Sequence, residues 1–177
     1  KDQRISGDGK MEIKMNALKG LEIARKKILF RPDINSPIDP VTKKIVNDNR
    51  LKKNAVTLKY MLENGAAVAL IAHQGDTQDY QNLIPLMEHA QKLTALTGHP
   101  VHYIDDVCGP AAIEAVKKLP AGEAIILGNL RYLGEELSTF SNFVKLSPEE
   151  MQSVWHVRKL APLFDLYVND AFSAAHR

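Results

Sequence analysis

Polar and basic residues recur in this chain at one kind of position, immediately after short apolar runs. Arg31, Asp33 and Asn35 follow the first run, and His73, Gln74, Gly75 and Asp76 follow the second. Asn129 and Arg131 follow the fourth, and Asn169, Asp170, His176 and Arg177 the fifth. Arg50, at the head of the first helical stretch, belongs with them. The planar guanidinium of arginine donates two parallel, charge-assisted hydrogen bonds, a geometry suited to phosphate and carboxylate. Several such groups around one point would hold a small anion, and a phosphorylated carboxylic acid meets that description. Asn, Asp, Gly and Pro also serve as turn and cap residues in any loop, so each has a structural reading of its own. Their recurrence after four runs favours a shared site.

Other chemistries find little support. The sequence contains no G-x-x-x-x-G-K-[ST], no G-x-G-x-x-G after a strand-like run, no H-E-x-x-H and no G-x-S-x-G. The six histidines are dispersed, without ligand spacing between any two. His89 and His99 read as exposed helix and turn residues, and His102 as a strand side chain. Asp105-Asp106 ahead of Gly109-Pro110 could form a carboxylate pair, but helix capping is the favoured reading. Trp155 reads as a core or half-buried helix residue. Cys108 has no base or basic neighbour in sequence, which suits packing better than nucleophilic chemistry.

The elements that must position these residues are legible in the apolar pattern. Continuous apolar runs at 27–31, 67–72, 101–104, 124–127 and 165–168 have strand length, and their lack of alternation suits strands covered on both faces. Between them lie helical stretches. Residues 49–63 place Leu51, Ala55, Leu58 and Leu62 on one side and end at Asn64-Gly65. Residues 83–96 end at Thr97-Gly98, and 110–119 begin at a first-turn proline. Residues 148–160 follow Ser147-Pro148-Glu149-Glu150, a helix start with acidic residues in the first turn. The alternation predicts an α/β three-layer sandwich with a parallel, doubly wound, Rossmann-like sheet in a single domain. In such a sheet ligands bind beyond the carboxyl ends of the strands, where the polar residues cluster.

Composition narrows the class further. The 23 Lys and Arg against 21 Asp and Glu leave a net charge of +2 over 177 residues, which gives no global reason to expect nucleic acid or membrane lipid as partner. An apolar fraction of 45% with 25% charged residues is that of a folded domain. One cysteine excludes an intramolecular disulfide and a Cys-rich zinc site, and suits a reducing compartment. No run approaches the roughly 18 apolar residues of a membrane span, so a cytoplasmic location is expected. Residues 1–20 are read as a flexible leader, and 21–177 as the domain.

Six motifs in order carry a family resemblance over about residues 27–177. Arg31-Pro32-Asp33-Ile34-Asn35-Ser36-Pro37 resembles the R-x-D-x-N-x-P loop of phosphoglycerate kinases, and Asn47-Asp48-Asn49-Arg50 the D-x-R element that follows it. Ala72-His73-Gln74-Gly75 is similar to part of their H-x-G-R-P motif, and Asp105-Asp106-Val107-Cys108-Gly109-Pro110 to their D-x-x-G-P segment. Asn129-Leu130-Arg131-Tyr132 resembles the end of L-E-N-x-R-F. The stretch from Val168 to Arg177 is nearly the whole V-N-D-A-F-x-x-A-H-R signature. The resemblance is to the amino-terminal domain, in its archaeal-type branch.

The resemblance implies phosphoryl transfer between ATP/ADP and 3-phosphoglycerate, with magnesium accompanying the nucleotide. It implies that this chain supplies the acid-binding half and that a separate carboxy-terminal domain, not contained here, binds the nucleotide. Asp33, Asn35, Arg50, His73, Arg131 and Arg177 would line the acid pocket, with Arg31 in a supporting role. Arg50 would serve catalysis by neutralising charge on the transferring phosphoryl group. Complete turnover by the isolated chain is not expected, because the chemistry needs both substrates enclosed together.

Three departures accompany the match. Asp76 and Thr77 stand where the family has arginine and proline. A reversed charge about 4 Å from a phosphate changes the interaction by on the order of 4 kcal/mol before solvent screening. Gly128 stands where the family has glutamate, removing a side chain able to orient a neighbouring arginine. The second domain that the resemblance implies is expected to lie outside residues 1–177. A non-catalytic kinase-like module for an anion or a protein, or a homologue with a changed acid substrate, is therefore the alternative reading.

Overall fold

A computed structural model of the protein describes residues 17–75, 82–137, 140 and 143–172. Its centre is a five-stranded sheet of Lys27–Pro32 (β1), Ala67–Leu70 (β2), Val101–Tyr103 (β3), Ala124–Ile126 (β4) and Leu166–Asp170 (β5). The spatial order is β3-β4-β2-β1-β5, and every pairing is parallel. The register sets Phe30 opposite both Leu70 and Val168, and Ile126 opposite both Leu70 and Tyr103. All five carboxyl ends therefore finish along one edge. The three-layer, doubly wound architecture expected from the alternating pattern is present.

Side-chain alternation divides the interior into two layers. Ile28, Phe30, Val68 and Leu70 join the core under helices Asn49–Glu63 (α1) and Met87–Thr97 (α2), where Leu58, Met61 and Leu93 are fully buried. Burying one such side chain contributes about 1.5–3 kcal/mol relative to leaving it in water. Leu29, Ala69, Ile125 and Leu127 pack on the opposite face with Ala112 and Val116 of Pro110–Lys118 (α3) and with Leu160. The central strand β2 is buried at all four positions, as its continuous apolar run predicts. The outer strands depart from that pattern. His102 on β3 and Tyr167 on β5 are exposed, because each strand is an edge among the described residues and lacks cover on one face.

The helix α1 follows its sequence pattern residue for residue and stops at Asn64, with Gly65 at φ 75°. Two other helices differ from expectation. The second begins at Met87 rather than at residue 83, because Pro85 disfavours helical geometry at Ile84. The last is broken into Pro148–Met151 (α4) and Trp155–Leu160 (α5). Ser147 and Glu150 close a reciprocal capping box at its start. The Ser153 hydroxyl then donates to the Glu150 carbonyl at 2.6 Å, and Val154 turns extended at φ −60°, ψ 149° with its side chain buried.

Residues 1–16, most of the expected leader, lie outside the described residues, while Leu18 packs partly buried against the core. No helix among the described residues is long and apolar enough to cross a membrane.

Candidate functional site

The loops beyond the strand ends are tied together by buried amides. Gln74, just past β2, accepts from the Ser36 N–H and donates to the Ser36 carbonyl, both at 2.8 Å. One side chain thus continues the β1–β2 hydrogen bonding after the strands have parted. Its Oε1 also meets His89 Nε2 at 3.0 Å. Because Ser36 N–H already identifies that oxygen as an acceptor, His89 carries its proton on Nε2. His89 is fully buried, which corrects the expectation of an exposed helix residue.

Asn129 performs the same task between β2 and β4. Its Oδ1 accepts from the Gln74 and Arg131 N–H groups at 3.2 and 3.0 Å, and its Nδ2 donates to the carbonyls of Gln74 and Ile84 at 2.9 and 3.0 Å. It has no exposed surface. The third amide, Asn35, accepts from the Gly75 N–H at 3.1 Å. Gly75 adopts φ 93°, and a Cβ there would stand 2.7 Å from the Asn82 carbonyl oxygen, so only glycine fits the turn.

The charged side chains stand on this frame. Arg50 Nη1 donates to Asp33 Oδ1 at 2.7 Å, with the arginine half exposed and the aspartate more enclosed. Asn54 from α1 donates to the Asp33 carbonyl at 2.8 Å and fixes the loop against the helix. Arg31 Nη2 meets Glu136 Oε2 at 3.2 Å, and His156 Nε2 meets Glu136 Oε1 at 3.2 Å. Arg131 Nη1 donates to the backbone carbonyl of Glu136.

Burial first, and then the positive charge of Arg131 and Arg31, lowers the His73 imidazole to about 4. At neutral pH it is an uncharged hydrogen-bonding group beside cations. Burial would raise the Glu136 carboxyl, but hydrogen bonds from His156 and Arg31 with their charge outweigh it and hold the group at about 2. Three arginines thus share the edge with the carboxylates of Asp33 and Glu136, and Asp170, bonded by the Thr57 hydroxyl at 2.9 Å, closes the same edge at the end of β5.

These shifts have a testable consequence. His73 and His89, the latter also lowered to about 4 by burial, bind fewer protons folded than unfolded between pH 4 and 6.5. Stability is therefore complete above pH 6.5, falls as pH drops toward 4, and gains no further loss from these groups below. His89 alone accounts for up to about 3 kcal/mol of this change. Urea unfolding across that range should show the decline, and His89→Gln, which keeps an N–H donor for Gln74, should flatten it. An unchanged slope in the variant would contradict the assignment.

Of the residues read from sequence, Asp33, Asn35, Arg50, His73 and Arg131 come together at this edge. Arg177 and the departing Asp76 and Thr77 lie outside the described residues. Asp106 proves to be a cap, its two carboxylate oxygens accepting from Gly109 and Ala112 N–H at 2.8 and 3.0 Å. Cys108 is buried, and burial raises its thiol to about 11, which suits packing. Gly128 is closely confined, since a Cβ there would approach Val107 Cγ2 at 3.1 Å. Glu136 and His156 were not singled out in the sequence. The only local hint is an acidic pair, Glu135-Glu136, four and five residues beyond Arg131, in a loop that reads as irregular. Among the described residues no group of three or more His, Cys, Asp or Glu could hold a metal ion.

A five-stranded parallel sheet with Arg31, Arg50 and Arg131 at its carboxyl edge defines a doubly wound α/β domain. The phosphoglycerate kinase family model matches residues 18–177, and the chain belongs to that family. It is 41% identical over 157 residues to the phosphoglycerate kinase of Sulfolobus acidocaldarius, covering 89% of this chain and 36% of the relative. It is 38% identical over 167 residues to that of Methanothermobacter thermautotrophicus, covering 94% and 39%. The crystal structure of phosphoglycerate kinase from Pyrococcus horikoshii superposes with a TM-score of 0.80 at 38% identity, over 92% of this chain and 38% of that one. The chain thus spans less than two-fifths of the length of these relatives.

Proposed function

We propose that this chain is the acid-binding half of a phosphoglycerate kinase, which transfers a phosphoryl group reversibly between ATP or ADP and the carboxylate of 3-phosphoglycerate. The observation that carries the reading is the convergence of Arg31, Arg50, Arg131 and a neutral His73 at one sheet edge. Arg131 and Arg177 hold the phosphate and carboxylate of the acid, while His73 and Asn35 contribute neutral hydrogen bonds. Magnesium and the nucleotide would be held by a second domain, and magnesium would supply charge neutralisation to the transferring group.

Arg50 is the catalytic residue of this half. Its bond to Asp33 is half open to water, so the guanidinium can exchange that carboxylate for phosphoryl oxygens as negative charge develops on them. The unpaired work of binding falls to preset groups, which need little reorganisation. Residues 21–177 as the acid-binding unit and a cytoplasmic setting complete the proposal.

Calorimetric titration of the chain with 3-phosphoglycerate, run beside magnesium ATP, tests it. The expected result is saturable binding of the acid and no heat from the nucleotide. No acid binding at millimolar concentration in a folded sample would overturn the reading. In that event the charge reversal at Asp76 would favour a different acid or a non-catalytic anion-binding role.

A further inference from the structure

We propose that Glu136 is a positioning residue for the acid site, its carboxylate setting Arg31 and its backbone carbonyl setting Arg131. This role rests on the acid-binding reading above and extends it to a residue outside the matched motifs. Glu136 ends a 3-10 turn, Gly134–Glu136, that follows directly on the turn carrying Arg131. Two short turns in succession bring the carbonyl of residue 136 back onto the guanidinium five residues earlier.

The carboxylate faces the other way. Oε2 lies 3.2 Å from Arg31 Nη2 and Oε1 lies 3.2 Å from His156 Nε2, and the three side chains are only 12, 20 and 10% exposed for Arg31, Glu136 and His156. Charges so enclosed are costly unless paired, and the Glu136 carboxylate has a partner at each oxygen. Arg31 and Arg131 both act electrostatically on His73, which places the two like charges around one group. Two cations held together repel each other, and Glu136 meets both, Arg31 through its carboxylate and Arg131 through its neutral backbone carbonyl. His156 braces the carboxylate from α5 by direct contact, and both side chains line a cavity of about 400 Å³ with Leu29, Leu160 and Phe164.

The arrangement also answers a gap in the sequence. Gly128 offers no carboxylate beside Asn129, and Val107 and Asp106 crowd the space where a Cβ would begin. The carboxylate that meets Arg31 comes instead from the turn at 134–136.

The test uses the full chain labelled with 15N. The Nε–Hε resonances of Arg31 and Arg131 report side-chain order without any ligand, and calorimetry with 3-phosphoglycerate reports the site. Wild type should show an ordered Arg31. Glu136→Ala should leave Arg31 mobile, leave Arg131 largely ordered because the carbonyl remains, and weaken acid binding about tenfold. Glu136→Gln keeps size and one acceptor and guards against a folding defect; it should show a smaller loss in the same direction. Glu136→Asp should restore part of the order. An Arg31 as ordered in both Glu136→Ala and Glu136→Gln as in wild type would overturn the proposal, and so would mobile Arg31 with unchanged affinity. If wild type shows an ordered Arg31 released by Glu136→Ala but binds no acid, Glu136 keeps its hold on Arg31 and it is the acid-binding reading that fails.

Discussion

Arg131→Ala is expected to remove most of the affinity for 3-phosphoglycerate, by about 2–4 kcal/mol or on the order of 30- to 1,000-fold in Kd. The guanidinium is held by the carbonyl of Glu136 at one nitrogen, and its backbone N–H is held by Asn129. Both anchors preset the fork before the anion arrives, so little conformational entropy is lost on binding. Removing it deletes a charge-assisted pair and leaves the anion facing His73, which is neutral. Arg131→Lys should recover only part of the loss, since an ammonium gives a point charge without the planar fork. Arg158, exposed on α5, is a control whose truncation should leave binding unchanged. A second readout is independent of ligand. Arg131 is one of the charges that lower His73, so the imidazole of the variant should titrate above about 4 in an NMR series. Unaltered affinity together with an unaltered His73 titration would place Arg131 outside the site.

Asn129→Ala is expected to destabilise the fold by about 3–5 kcal/mol, the largest effect of any substitution considered for stability. The amide makes four hydrogen bonds, all to backbone groups, and is fully enclosed. Truncation strands N–H and C=O groups of Gln74, the Ile84 carbonyl and the Arg131 N–H, where water enters only by opening the loops. Asn129→Asp should cost a comparable amount, because a carboxylate still accepts from Gln74 and Arg131 but sets a buried negative charge against the two carbonyls to which the amide donated. Urea unfolding with fixed slope measures both variants, and a cost below about 1 kcal/mol for the alanine would mean that the loops are held by other contacts. Loss of acid binding should accompany the loss of stability, since the same bonds fix Gln74 and Arg131.

The contrast between the two asparagines shows how far a linear reading reaches. Asn35 and Asn129 were both recognised as polar residues after strands, and the resemblance assigned Asn35 to substrate. In the folded chain Asn35 also holds the Gly75 N–H, and Asn129 holds three segments, so Asn129 builds the site by fixing its walls. Sequence alone marks such residues as polar and loop-bound but does not tell which backbone they reach.

What the sequence by itself determined was every element whose signal is local. The continuous apolar run of β2, the spacing of Leu51, Leu58 and Leu62 on α1 and the glycine stops at 65 and 98 follow from period and turn chemistry, and so does the placement of Asp33, His73 and Arg131 beyond strand ends and of Arg50 at the head of α1. The break after Met151 was hidden because the apolar spacing continues through it, and the interruption depends on Ser153 and on Val154 finding cover. Tertiary structure alone decided that His89 is buried against Gln74, and that Glu136, 105 residues from Arg31 along the chain, becomes its counter-charge. The physical reason is the same in both cases. Periodicity and turns act over a few neighbouring residues, whereas the charge and hydrogen-bond balance of an enclosed group is settled by whichever segments the sheet order brings together.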